Sequence, residues 1–308
     1  MTEPEVPGYA IVSTPEVSVA EVTLGLTLYL DEPHLWAQEG AAAMLAAFLV
    51  VAPIDRLAWY TTSLVKDWHR VAQSELSALV EVLSTPWTQR RVRHHFSFRL
   101  TDNIGAPRVG FYYHEVDSTR DGRAGFLQIF LPQEHPPKDL LQLALEVGHR
   151  WPIWSGVGGY LATWHPHLKA QGWDLLYGWA RRHVGLDLQD PEAGSWLAPK
   201  GLLGTNWLTL IGHRLAQARE IDLEALRAHP FSNPVTVRSV AGGAVVCAGA
   251  APTLGDLNQL AYPKAYAEVA RCLQAHLVEE PPAFWGSFQE EGNSAAWFRR
   301  FLDPEAWR

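Results

Sequence analysis

Read for its alternation of apolar and polar positions, the chain divides into short strands and amphipathic helices that return in a similar order. Val19 to Leu30 is rich in β-branched residues and sets Leu24, Leu26 and Leu28 on one side, which predicts a strand. Pro33 opens a helix through an alanine-rich segment to about Val50, with Pro53 beyond its end. Leu57 to Thr62 is a short β-type run. Ala72, Leu76, Leu79, Val80 and Leu83 keep a helical spacing that Pro86 stops. His95 to Leu100, Val109 to Val116 and Gly125 to Leu131 read as strands. After Pro136-Pro137 a helix carries Leu140, Leu143, Ala144 and Val147 on one stripe.

From Trp154 the order returns. Gly156 to Trp164 predicts a strand, and Leu168 to His183 a helix with Leu175, Leu176, Trp179 and Ala180 inward. Asn206 to Ile211 is a short buried strand, and Leu215 to Arg227 is helical. Val235 to Val240 and Ala244 to Ala248 pair as a hairpin across Ala241-Gly-Gly243. Tyr266, Val269, Ala270, Leu273 and Leu277 mark a last long helix after Pro263, before a tail with scattered aromatics and a short helix near Trp297 to Phe301. The fold class that follows is α+β, with mainly antiparallel sheets and helices packed on one face. Residues 1–308 form one compact unit, whose shared element order fits two duplicated halves, 19–150 and 151–278, with a tail at 279–308. Chance is the alternative, because alternating elements are what any α+β chain shows. No flexible linker separates the halves at Gly148 to Pro152, so they are expected to pack together.

Composition adds limits. The chain has 308 residues, 47% hydrophobic and 19% charged, enough to bury a core without staples. Its 14 tryptophans each need a buried ring and a partner for one N–H, so most belong in the core and some could anchor a partner. A formal charge of −8 argues against direct nucleic-acid binding and favours a basic partner or plain solubility. The one basic cluster, Arg90, Arg91, Arg93, His94 and His95, precedes a strand and reads as a solvated turn. Cys247 and Cys272 lie in apolar elements and read as small buried thiols. The acidic N-terminus lacks a signal-peptide pattern, and the longest apolar run, Gly40 to Ala52, is too short to span a bilayer. A soluble, cytoplasmic protein is expected.

Candidate chemistry is thin. His165-Pro-His167, with His183 and Asp187, is the nearest approach to a metal set, but Pro166 breaks a regular pair and no further close ligands appear. His94-His95 and His114-Glu115 point to opposite faces of their strands. Gly156-Val-Gly-Gly159 lacks the third glycine of a dinucleotide motif and runs into a strand, so a bulge or a close strand approach is the simpler reading. Ser155 has no evident base. Asp256, in Leu254-Gly-Asp-Leu-Asn258, suits a turn that accepts backbone N–H groups. No cofactor and no metal are expected.

Two segments carry more information. Gly201-Leu-Leu-Gly-Thr-Asn-Trp-Leu-Thr-Leu-Ile-Gly212 and Val245-Val-Cys-Ala-Gly-Ala-Ala-Pro-Thr-Leu-Gly-Asp256 are buried strands closed by glycine turns, and together they resemble the signature of the type VI immunity family. The resemblance is sharpest between about residues 150 and 277. It implies an antitoxin that binds a toxin injected by a type VI secretion system, here a cytoplasm-acting nuclease, and neutralises it by occlusion without catalysis. The alternatives are a metal-assisted hydrolase using the His165/His167 region, or a scaffold in a defence assembly. A nuclease has a basic substrate face, so acidic loops outside the core stripes are the expected contacts: Asp187, Asp190 and Glu192 first, then Glu279, Glu280, Glu290 and Glu291. Trp207 and Leu210 are expected in the core, with Gly242 or Gly243 at a hairpin tip.

Overall fold

The computed structural model describes residues 18–65, 67–84, 95–116, 122–232 and 234–307. Its frame is one ten-stranded sheet, antiparallel throughout, rather than a sheet for each half. The strands are β1 (Ala20–Leu30), β2 (Trp59–Thr62), β3 (His69–Arg70), β4 (His95–Thr101), β5 (Gly110–Val116), β6 (Gly125–Pro132), β7 (Ile153–Trp164), β8 (Leu208–Gly212), β9 (Val235–Val240) and β10 (Gly243–Ala248). They lie in the order β3-β2-β4-β5-β6-β1-β7-β8-β10-β9. The long strands β1 and β7 are the centre. They pair from Ala20 opposite Trp164 to Leu30 opposite Ile153.

Outward from that centre the wings are built differently. One runs β6-β5-β4-β2-β3 and the other β8-β10-β9. The strand that follows the first helix therefore lies far out in one wing and next to the centre in the other. A shared order along the chain is not a shared order in the sheet.

In the first wing the alternation dictates one dry face. Leu24, Leu26 and Leu28 stand beside Leu131, Ile129 and Leu127, and Phe111, Tyr113, Phe98 and Leu100 continue the row outward. All are buried. Three helices cover them: α1 (Pro33–Val51), α2 (Leu76–Ser84) and α3 (Pro137–Arg150). Phe48 of α1 meets Phe111 at 5.8 Å between ring centres. At 19 residues α1 outruns the apolar segment expected from sequence, because a π-helical stretch, Trp36–Gly40, joins its start to Ala41–Val51. It is long and apolar enough to cross a membrane, yet Trp36, Met44, Leu45 and Phe48 pack into the core.

The inner strands of the second wing, β8 and β10, are buried on both sides. Every residue of β8 and β10 is buried, and the helices α4 (Lys169–Arg182), α5 (His213–Ala218), α6 (Leu223–Ala228) and α7 (Lys264–Leu273) belong to this half. The single helix expected over Leu215 to Arg227 is two, because Glu220 adopts a left-handed backbone (φ 54°) that no helix accommodates. Trp207 and Leu210 are fully buried, and the Trp207 indole donates to the Gly249 carbonyl at 2.9 Å. Gly243 opens β10 at φ 149°, where a Cβ would lie 1.9 Å from the Ile211 carbonyl oxygen. Only glycine fits there.

The tail is part of the core. Phe284 and Phe288 lie against Trp173 of α4, and the Trp307 indole donates to the Ala180 carbonyl at 3.0 Å. Arg300, 2% exposed, donates from Nε to the Val184 carbonyl at 2.7 Å and from Nη1 to the Trp297 carbonyl at 3.1 Å. Its Nη2 stands 3.6 Å from the Asp187 carboxylate.

Trp207→Ala is expected to lower stability by about 3–5 kcal/mol through the cavity it leaves, read as a shift in the urea midpoint at unchanged slope. Arg300→Ala is expected to cost about 3–5 kcal/mol in the same measurement, because Asp187 would be left buried and uncompensated.

Candidate interaction surface

The same registers that make one dry face in the first wing leave the reverse face of β2, β4 and β5 without a long helix among the described residues, while at β6 that face is covered, Phe126 packing with Ala198 and Leu203. Directly paired residues of antiparallel strands project to the same side. Arg99 pairs with Tyr112, and Tyr112 with Gln128; Ser97 pairs with His114, and His114 with Phe126. Trp59 and Thr61 of β2 continue these rows outward through Thr101 and Arg99. Where a solvated sheet face would ordinarily carry Thr, Lys and Glu, this one carries Trp, Tyr, Phe, His and Arg, and its β2, β4 and β5 residues are half-buried rather than covered.

A groove of about 240 Å³ runs along this face between β4–β5 and the turn at Asp190 to Glu192. That turn comes from the other half of the chain. Asp190 accepts the Ala193 N–H at 3.2 Å and Pro191 sets the first helical position, so a short helical turn, Pro191–Gly194, holds Glu192 over the sheet. Glu192 lies 3.9 Å from the Arg99 guanidinium and accepts the Tyr112 hydroxyl at 3.3 Å. Arg99 itself stacks on the Tyr112 ring at 4.0 Å.

The pattern recurs around the groove. Lys169 sits 4.1 Å above the Trp285 ring with its ammonium 3.6 Å from Asp190. Arg123 lies 5.2 Å from the Trp196 ring and Arg70 4.9 Å from the Trp59 ring. Trp196 and Trp285 are nearly half exposed, and so is Ile104 at the groove's rim. Each aromatic holds a cation in place without removing it from solvent, which a mobile surface Arg or Lys cannot do.

Behind the groove, His114 lies flat on Phe126 at 4.9 Å with His95 stacked on its other side at 5.8 Å. Neither of its ring nitrogens has a hydrogen-bond partner. Burial, with Arg123, His95 and Arg99 adding repulsion, pushes its pKa from 6.5 down to about 3, so it is a neutral ring that packs as an aromatic. The Tyr112 hydroxyl is pushed up by burial, against the pull of Arg99.

The acidic residues expected from sequence fall into three groups. Asp187 is 5% exposed, bonded to Gln189 at 3.0 Å and set against Arg300, so it serves the core and cannot meet a partner. A short loop between polar segments hid that burial. Asp190 and Glu192 stand at the groove, each already facing a cation. Glu279, Glu280, Glu290 and Glu291 are exposed in the tail segment. His165 accepts the His167 backbone N–H at 3.1 Å, with the two rings 5.8 Å apart. Among the described residues no group of three or more His, Cys, Asp or Glu could hold a metal ion. Asp256 faces Arg182 in a two-oxygen fork at 2.7–3.1 Å and accepts the Asn258 N–H, which holds its carboxyl below the usual range. Of the basic cluster, Arg90, Arg91, Arg93 and His94 lie outside the described residues; His95 begins β4. Sequence reading missed Arg99, Tyr112, Trp196 and Trp285. Arg99 and Tyr112 do occupy polar-side positions of their strands, a signal that was present.

The model of the family described as type VI immunity for VRR-NUC matches residues 41–301. Among solved structures, the Pseudomonas aeruginosa T6SS protein PA0821 superposes with a TM-score of 0.78 at 20% identity, covering 97% of this chain and 88% of that one; at that identity the likeness is one of fold. No curated protein matches.

Because the folded His114 takes up its proton near pH 3 and an unfolded histidine near 6.5, the unfolded chain binds more protons between those values. His114 therefore makes stability fall as pH drops below 6.5. His114→Phe is expected to flatten that fall by about 1–2 kcal/mol between pH 7 and pH 4.5, after allowance for solvent screening. Urea midpoints of both proteins across that range check it.

Proposed function

The chain belongs to the type VI immunity family for VRR-NUC, and on that footing we propose that it binds a cognate toxin carrying a nuclease domain and silences it by occlusion. The family match over 41–301 is the observation that carries the reading, since it spans both wings and the turn at Asp190 to Glu192. A folded scaffold with a pre-set aromatic and charged surface suits binding: Trp, Tyr and Arg dominate the energetics of protein interfaces. On this proposal the action lies in the cytoplasm, where a nuclease meets its substrate, and calls for no turnover by the antitoxin itself. The hydrolase reading through His165 and His167 gains nothing from the geometry, because the His165 Nδ1 is taken up as acceptor for the His167 backbone N–H.

A toxin that kills by a few cuts requires a complex near nanomolar, about −12 kcal/mol. The purified chain is expected to form a stable complex with its cognate VRR-NUC toxin and to stop digestion of nucleic acid at an equimolar ratio, while releasing no product alone. Full toxin activity in the presence of a tenfold excess of folded chain would sink the reading.

A further inference from the structure

Resting on the reading that the chain binds a cognate toxin, we propose that the groove between β4–β5 and the turn at Asp190 to Glu192 receives one apolar side chain of that toxin, aromatic or long aliphatic, as the central anchor of the complex. The groove has a cause in the sequence. Thr101, Gly110 and Phe130 face one another across β4, β5 and β6, on the same side as Arg99, Tyr112 and Gln128. Gly110 adds no side chain to its row. A Cβ there would come within 2.9 Å of the Leu100 carbonyl oxygen and 3.3 Å of the Phe130 ring, so the position stays bare and leaves room beside Phe130. Pro107, Trp164, Trp68 and Ile104 complete the apolar part of the walls.

The polar groups of the walls are already engaged. Arg99 and the Tyr112 hydroxyl face Glu192, and Lys169 faces Asp190. The Thr101 hydroxyl donates to the Asn103 carbonyl at 3.0 Å, and the Thr163 hydroxyl to the Pro107 carbonyl at 2.7 Å. The Asn103 side chain accepts the Gly105 N–H at 2.9 Å, and Gln128 donates to the Thr27 hydroxyl at 3.1 Å. The Trp68 indole apart, each polar side chain lining the groove thus has a partner within the fold. An entering charge would have to break one of these contacts and shed its own water, which is costly. An apolar group sheds water at no such cost and gains contact with Phe130, Pro107 and Ile104. Size narrows the occupant further. A dry cavity of about 150 Å³ accepts a benzene ring, and small-molecule sites begin near about 300 Å³. At about 240 Å³ the groove suits one large side chain. The paired charges around it form the rim that keeps water from the anchor, and Trp285, nearly half exposed under Lys169, extends that rim.

The experiment uses the full chain and its cognate VRR-NUC toxin, with affinity measured by calorimetry. Ile104→Glu, which puts a charge at the groove's mouth, is expected to weaken binding by about 30-fold or more, and Ile104→Ala by about tenfold. Both should melt within a few degrees of the wild type, because Ile104 is nearly half exposed. Arg99→Gln combined with Glu192→Gln, which removes an exposed pair from both sides at once, is expected to leave affinity within about fivefold. A photoreactive benzoylphenylalanine in place of Ile104 then marks the toxin segment that lies there, and alanine at one apolar residue of that segment is expected to reproduce the loss. Unchanged affinity in Ile104→Glu overturns the groove as the docking site while the immunity reading stands. A loss above about 30-fold in the Arg99/Glu192 double variant, with Ile104→Ala neutral, overturns the apolar anchor in favour of a charged one. A dimer of the chain alone that Ile104→Glu dissolves gives the groove to a second copy and overturns the toxin as its occupant. No complex with the wild-type chain overturns the immunity reading itself.

Discussion

Because β1 and β7 pair antiparallel along their whole lengths, the two halves of this chain cannot rest side by side as separate sheets; they share one. The closeness of that pairing is written in small residues. Gly25 stands opposite Gly159, where a Cβ on Gly25 would come within 2.6 Å of Leu161 and one on Gly159 within 2.5 Å of Asn206. Leu161 fills the room over Gly25, and Asn206 uses the room over Gly159 to accept the Trp207 N–H at 2.7 Å. The centre of the sheet thus sets where β8 begins and, through the dry face of β1, where α1 and α3 lie. The open face is what remains once the apolar rows have claimed those helices.

A second tie runs from the centre to the end of the chain. Asp187 joins β7 in a short parallel bridge at Leu161 and also faces Arg300, while Gln189, two residues on, accepts the Tyr29 hydroxyl of β1 at 3.1 Å. Burial outweighs the attraction between the charges: it pushes the Asp187 carboxyl up and draws Arg300 down to about 10. Such a pair is poor as a source of stability and good as a register pin, since moving the tail would also break the Arg300 bond to the Val184 carbonyl. From the same anchor the chain continues into Asp190 and Glu192. The tail and the groove are therefore positioned by one buried contact.

The strands and helices were legible because their apolar spacing was regular: Leu24, Leu26 and Leu28 gave β1, and Leu140, Leu143, Ala144 and Val147 gave α3. The glycines of β7 were readable as a close approach for the same reason that they fail as a phosphate loop. What stayed hidden depends on distance in sequence. Nothing near Asp187 announces an arginine 113 residues later, as neither does anything near Arg99 announce Glu192. Net charge is a sum over the chain and says nothing about one face of one wing. Asp190 and Glu192 were rightly placed at a surface turn, but the cations beside them were not foreseen.

The sheet's two outermost strands close it off. β3 is two exposed residues, His69 and Arg70, and β9 turns Thr236, Arg238 and Ser239 outward. Short or polar margins of this kind discourage a further strand from adding on. Main-chain pairing is nearly blind to sequence, and a partner captured that way would be hard to tell from its relatives. A protein with blunt edges and a furnished face must instead read its partner through side chains. On the reading proposed above, recognition can then drift to match a changing adversary by single substitutions on a fixed backbone, without redesign of the fold that carries them.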